Sequence, residues 1–234
     1  MREFIGLSEW ETPEGVSAVQ VHSSAYYALQ EPDGGINQET QLLCVLHGWG
    51  QNSRSFLRRF TPLKAHNVLV VAPQGPHQMY LDMETRKVGF SWLTTYDRNR
   101  AVADLFELID SVLAKVRVDG GITAAPYLLG FSQGVSIAYR YHLLGGRPAA
   151  GIIACGGDLP SDVRTAVGEA PSLPTLLIHG KRDGIVPLAK GEEAASILRD
   201  AGHQPECYYF DGEHVIPPEA VEKIAAWITK NRDA

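Results

Sequence analysis

Six short apolar, β-branched runs, at residues 41–46, 68–72, 126–130, 150–154, 175–178 and 206–210, recur along the chain with helix-periodic stretches between them. Each run has the length and content of a strand buried on both faces. In the intervening stretches Val102, Leu105, Phe106, Ile109, Leu113 and Val116 share one helical face, as do Val221, Ile224, Ala225 and Ile228 further on. Pro218 suits the first turn of that last helix. Strands alternating with helices imply an α/β class: a mostly parallel central sheet, helices on both faces, right-handed crossovers. Residues 16–29 are expected to add one or two antiparallel strands at the sheet edge. Residues 73–99, rich in Pro, Gly and polar side chains, read as a long irregular stretch. Because it follows a strand's carboxyl end, it is either a substrate-contacting loop or a plain surface excursion.

A chain of 234 residues suits one domain, 1–234, able to bury roughly 70–75% of the surface its unfolded form exposes. No linker-like shift in composition divides it, and no segment repeats. The formal charge of -6 arises from acidic and basic residues mixed along the chain, with Arg58-Arg59 and Lys181-Arg182 the adjacent basic pairs. That pattern argues against nucleic acid or an anionic membrane as partner. The segment Met1-Arg2-Glu3-Phe4-Ile5-Gly6 has no apolar leader core, and no run approaches the eighteen or so apolar residues of a spanning helix. Cys44, Cys155 and Cys207 are odd in number and set in strand-like stretches, which reads as buried reduced thiols and as neither disulfides nor zinc ligands. A cytoplasmic location is therefore expected.

Gly130-Phe131-Ser132-Gln133-Gly134 fits G-x-S-x-G. The pattern alone is weak, but its setting is specific: it follows the buried run Tyr127-Leu128-Leu129 and precedes a helical stretch ending at Gly145-Gly146. Such a strand–turn–helix forces the serine into a sparsely populated backbone conformation and exposes its hydroxyl, and glycines are needed where side chains would crowd neighbouring elements. The turn also sets the Gln133 amide at a helix start, where it can meet a developing oxyanion. The competing reading is a Gly-Ser turn that only joins strand to helix.

A serine nucleophile needs a histidine to accept its proton and a carboxylate to orient that histidine. In this topology the chain order is Ser, acid, His. His22, His47, His66 and His77 precede Ser132, His142 lies in the following helix, and His179 precedes every plausible acid, which leaves His203 and His214. Active groups sit at the carboxyl ends of parallel strands; His214 follows the run 206–210 whereas His203 precedes it, so His214 is the candidate base. Asp183, after the run 175–178, is preferred as the acid, with Asp158 its main competitor and Asp211 close in sequence to His214. Leu46-His47-Gly48-Trp49-Gly50-Gln51-Asn52 leaves the first strand through two glycines that allow a sharp turn. The Trp49 amide is thereby a candidate oxyanion donor beside that of Gln133. Asn52 can cap a following helix at the same time.

In combination these segments resemble the phospholipase/carboxylesterase family of bacterial carboxylesterases and acyl-protein thioesterases. The likeness runs from about Gln41 onward and is carried by Leu46-His47-Gly48-Trp49-Gly50, Gly130-Phe131-Ser132-Gln133-Gly134, Gly156-Gly157-Asp158-Leu159-Pro160, His179-Gly180 with Asp183 and Val186-Pro187, and His214 with Ile216-Pro217-Pro218-Glu219-Ala220. The resemblance implies an α/β-hydrolase fold, a Ser132–Asp183–His214 triad, Trp49 and Gln133 amides as oxyanion hole, and a substrate site bordered by Gly89-Phe90-Ser91-Trp92. Two departures stand out. Val135 replaces a glycine common after the elbow, and Val215 replaces an acidic residue common after the histidine.

The chemistry this leads us to expect is cleavage of a small-molecule carboxylic ester through an acyl-enzyme, without metal or organic cofactor. The pH profile of kcat/KM should fall on the acid side as His214 gains a proton. A thioesterase or lysophospholipase acting on longer acyl chains is the alternative within hydrolases, and a catalytically silent ligand-binding protein the alternative outside them. No stable membrane insertion is expected; a homodimer is the general prior for soluble enzymes.

Overall fold

The computed structural model describes residues 15–232 apart from residues 20 and 22. Its centre is a seven-stranded sheet in the order β1-β3-β2-β6-β7-β8-β9, formed by β1 (Tyr27–Gln30), β2 (Gln41–Leu46), β3 (Val68–Pro73), β6 (Tyr127–Phe131), β7 (Gly151–Cys155), β8 (Thr175–Gly180) and β9 (Glu206–Phe210). All neighbouring pairs are parallel except β1 against β3. The six expected runs are therefore the six parallel strands, with bounds moved by at most two residues.

Alternate side chains of β2 show why the runs are continuously apolar. Leu43 and Val45 enter a core with Phe56, Phe60, Val221, Ile224 and Ile228. Leu42, Cys44 and Leu46 face the opposite core with Ile109, Leu113 and Ile137. Helix α1 (Ser53–Leu57), the 3-10 segment Arg58–His66 and α6 (Pro218–Asn231) thus cover one face. Helices α2 (Arg98–Gly120), α3 (Gln133–Leu143) and α5 (Leu188–Asp200), with the short α4 (Arg164–Glu169), cover the other. Pro218 occupies the start of α6, as its missing N–H allows.

One expectation is met and another changes. Among the described residues the segment 16–29 supplies one of the one or two antiparallel edge strands expected, β1, while Val16, Val19 and Val21 are exposed. Residues 73–99 are more ordered than their composition suggested. They form an antiparallel hairpin of β4 (His77–Asp82) and β5 (Lys87–Ser91), turned by Asp82, whose carboxylate accepts the amides of Glu84 and Thr85. An isolated hairpin is marginal in water. This one is tied to the rest of the protein at its base, where Gly50 N–H donates to Phe90 O at 2.8 Å and Phe90 N–H to Gln51 O at 3.2 Å.

Arg140, on α3 and 3% exposed, makes a bidentate pair with Asp162 at 2.7 and 2.9 Å, joining α3 to the 3-10 turn Ser161–Val163. Arg98, at the start of α2, feels the charge of both. Asp162→Ala should leave the buried Arg140 guanidinium without its carboxylate, at a cost of about 3–5 kcal/mol in urea unfolding. The double replacement Arg140→Met with Asp162→Leu should recover most of that loss. A single variant as stable as the wild type would contradict this account.

Candidate active site

Between β6 and α3 the chain reverses through Ser132 at φ 53, ψ -118. A non-glycine residue in this region is strained by about 1–3 kcal/mol and persists only where its surroundings over-determine it. Here they do. Ser132 N–H donates to Cys155 O at 2.9 Å and Val135 N–H to Ser132 O at 3.0 Å. The flanking glycines permit the approach: a Cβ on Gly130 would lie 2.4 Å from the Gly134 and Val135 backbone, and one on Gly134 only 2.1 Å from Leu46 O. Val135 is buried and fills the space over Gly157, where an added Cβ would come within 2.5 Å of the valine side chain. The residue that departs from the resembled family's pattern is thus accommodated by a glycine on the next strand's loop.

The exits of β8 and β9 are bound together. Lys181 N–H donates to Phe210 O at 2.9 Å and Arg182 N–H to Gly212 O at 2.8 Å, and Gly180 is bare where a Cβ would meet Glu213 O at 2.3 Å. This contact brings His214 to Asp183: Nδ1–H donates to Oδ2 at 2.6 Å. The other oxygen of Asp183 accepts the amides of Ile185 and Val186 at 2.9 and 2.8 Å. Burial alone would raise the Asp183 carboxyl, but the bonds from His214, Val186 and Ile185 outweigh it and hold the group below the ordinary carboxylate range. The His214 ring lies tilted over Phe131, 4.8 Å between centroids, and next to Gly156, whose φ of +58 and missing side chain leave room for it. His214 is thereby set beside the residue that precedes Ser132.

The competing assignments find other places. Asp158 is exposed, and Asp211 pairs with Arg182 on the surface. His203 is buried with Nε2 donating to Val167 O at 2.9 Å, in the turn between α5 and β9.

The turn after β2 passes beside the serine: a Cβ on Gly48 would lie 3.3 Å from Ser132 Cβ. Gln51 closes it, accepting Gly48 N–H at 2.9 Å, and Asn52 caps α1 by accepting Ser55 N–H at 2.9 Å. The Trp49 side chain is 61% exposed. Trp92 is a correction. Expected to border the substrate, its side chain is fully buried, with the indole N–H donating to His47 O at 2.7 Å. That bond sets the indole against the residue that enters the turn after β2.

Two buried histidines, excluded by chain order as bases, carry structural work that the chain order did not suggest. His47 donates from Nδ1 to Gly48 O at 2.8 Å, and its Nε2 accepts from Gly75 N–H at 3.0 Å and the Gln74 carboxamide at 2.9 Å. His179 donates from Nε2 to Val186 O at 2.8 Å, with Asp183 Oδ2 3.5 Å away. The available signal was positional: each lies at a strand's carboxyl end in a run otherwise apolar. Among the described residues no group of three or more His, Cys, Asp or Glu side chains is placed to hold a metal ion. No helix among them is long and apolar enough to cross a membrane.

A family model described as phospholipase/carboxylesterase matches residues 31–232. The chain is 27% identical over 229 residues to an esterase of Drosophila pseudoobscura pseudoobscura, covering 88% of this chain and 77% of that one. It is 24% identical over 205 residues to acyl-protein thioesterase 1 of Gibberella zeae, covering 79% and 84%. Among solved structures, esterase PE8 is similar in fold, with a TM-score of 0.70 at 24% identity over 89% of this chain and 99% of that one.

Burial pushes the His47 imidazole down from the ordinary 6.5 to about 4, against a smaller opposing effect of its bond to Gly48. A depressed folded-state pKa means that the neutral ring's contribution is complete above about pH 6.5 and is lost as the pH falls toward about 4. The contribution should reach about 3 kcal/mol at most, at about 1.4 kcal/mol for each unit. Denaturant midpoints of the wild type and His47→Asn between pH 7.5 and 4.5 measure it: the wild type should lose stability more steeply than the variant. Parallel curves would show that His47 does not titrate on unfolding.

Proposed function

Since the chain belongs to the phospholipase/carboxylesterase family, we propose that it is a carboxylesterase in which Ser132 is the nucleophile, His214 the general base and Asp183 its orienter. The observation that carries the reading is the 2.6 Å bond from His214 Nδ1 to a buried carboxylate whose remaining acceptor capacity is taken by two amides. That bond fixes the tautomer, so the unprotonated Nε2 is the atom available to a serine hydroxyl. In this mechanism Ser132 Oγ attacks the ester carbonyl as His214 Nε2 takes its proton. The imidazolium then returns the proton to the leaving alkoxide, and water, deprotonated by the same nitrogen, releases the acid. Asp183 stays ionised throughout and stabilises the imidazolium. The oxyanion is received by the amides of Gln133, at the start of α3, and of Trp49; one such donor is typically worth about 3–4 kcal/mol in the transition state.

No metal or organic cofactor enters this sequence of steps, and its substrate is a small ester and not a nucleic acid. A cytoplasmic setting is part of the proposal: Cys44 and Cys155 are buried free thiols, and burial pushes Cys44 up to about 12, which keeps it inert, whereas Cys207, expected to be buried too, is exposed on the edge strand β9. A longer-chain ester or thioester is favoured as second reading by one observation. Trp49, whose amide is a proposed donor, and Ile185 and Val215, close in sequence to the proposed acid and base, all have exposed apolar side chains that an acyl chain could cover.

Hydrolysis of p-nitrophenyl esters from acetate to decanoate by the wild type and Ser132→Ala tests the proposal. The variant should lose roughly four to six orders of magnitude in kcat, and only the wild type should be labelled by a fluorophosphonate. Equal activity in both would overturn the nucleophile assignment. An unlabelled, inactive wild type would favour the silent ligand-binding reading. A rate rising from acetate to decanoate would support the longer-chain alternative.

A further inference from the structure

The two proposed oxyanion donors sit on different elements: Trp49 in the turn that leaves β2, Gln133 at the first position of α3. The ladder between β2 and β6 ends at Leu46 opposite Gly130, so sheet pairing stops short of both. Their separation has to be set by something else, to within a few tenths of an ångström if both are to reach one oxygen.

Residues 90–93, at the end of β5, are bonded to both sides. Toward the β2 turn, Phe90 exchanges backbone hydrogen bonds with Gly50 and Gln51 at 2.8 and 3.2 Å, and the Trp92 indole donates to His47 O at 2.7 Å. Toward α3, Trp92 N–H donates to Gln133 Oε1 at 3.0 Å while Gln133 Nε2 donates to Leu93 O at 2.9 Å. Ser91 Oγ lies 3.1 Å from each polar atom of the same carboxamide. Two glycines make the approach possible: a Cβ on Gly89 would lie 2.5 Å from Gly50 O, and one on Gly75 would lie 2.8 Å from Ser91 O. The His47 ring lies tilted against that of Trp92, 4.7 Å between centroids.

We propose that residues 90–93 are a strut that fixes the width of the oxyanion hole, with the Trp92 indole and the Gln133 carboxamide as its two positioning groups. The proposal rests on the esterase reading of the site and adds to it residues that touch neither substrate nor nucleophile through the groups concerned. Gln133 then has two separable functions: its backbone N–H meets the oxyanion, and its side chain holds that N–H at a set distance from Trp49. The hairpin is on this account a part of the catalytic frame, which explains why a two-stranded ribbon keeps a buried base under an exposed outer face with Tyr80, Met83 and Val88.

Trp92→Phe keeps a ring against His47 but removes the indole N–H; Gln133→Met keeps the backbone N–H and removes the carboxamide. Each should lower kcat by about 10- to 100-fold with KM changed less than about threefold, since a misplaced donor is felt in the transition state and not in ground-state binding. A trifluoromethyl ketone, which forms a tetrahedral adduct with the serine, should lose affinity by the same factor. Hydrogen exchange at residues 47–51 should quicken in Trp92→Phe. If Trp92→Phe proves too unstable to assay, Gln133→Met, altered at a partly buried surface, decides the kinetic question alone. Both variants keeping kcat and ketone affinity within twofold would overturn the strut, as would a loss confined to KM with unchanged exchange. Should the wild type cleave no ester, the esterase reading fails separately, and exchange at 47–51 still decides the strut: quicker in Trp92→Phe supports it, unchanged overturns it.

Discussion

The left-handed turn at Ser132 is the constraint around which the rest of this structure is arranged. A backbone held at φ 53 without a glycine gives up about 1–3 kcal/mol, and that strain survives only inside a frame that leaves the chain no alternative. The frame is β6, central in the sheet and hydrogen-bonded to β2 on one side and β7 on the other. β7 also fixes the turn itself, through Cys155 O, and β2 lies so close that Gly134 touches Leu46 O. Moving any of these three strands would release the turn, so the geometry of the proposed nucleophile is a property of the sheet as a whole.

Three polar side chains near this turn, Asp183, His47 and His179, are buried and hydrogen-bonded. Asp183 has a fully buried carboxylate, yet three N–H donors converge on it, which is why its carboxyl lies below the ordinary range despite desolvation. His47 and His179 each spend one ring N–H on a nearby carbonyl and so are locked in orientation. A rigid polar network of this kind is costly to leave half-made, and completing it removes alternative arrangements of the loops. The Arg140–Asp162 pair extends the same pattern to the far side of α3.

Much of this was legible in the chain. The apolar runs marked the parallel strands because strands buried on both faces tolerate no polar alternation. Gly130 and Gly134 marked the elbow because a Cβ at either position collides with backbone. Chain order and strand-end position singled out His214 over His203 but left Asp158 standing beside Asp183, and it is the bond from His214 Nδ1 to Asp183 that separates the two acids. The hairpin of β4 and β5 was missed because its stability comes from Gly50, Gln51 and the Gln133 side chain, all far away in sequence, and not from its own alternation. The substrate-bordering place of Trp92 was implied by the family resemblance alone, and the burial of its indole against His47 O depends on contacts equally distant in sequence.

The sequence by itself determined the order of elements, the sharp turn at Ser132 and the strand ends from which Asp183 and His214 emerge, since these follow from periodicity and from short-range steric limits on the backbone. Only the tertiary structure decided which histidines orient loops and which faces the proposed nucleophile's side of the sheet. It also decided that the end of β5 bridges the two loops bearing Trp49 and Gln133, and that Trp92 is inside. The bridge made by the end of β5 depends on groups about forty positions apart meeting within hydrogen-bond distance, as the Trp92 indole does with His47 O across 45 residues. Local pattern carries the direction of each element, but the distance between loop ends is set by strand register and packing, which no stretch of sequence encodes alone.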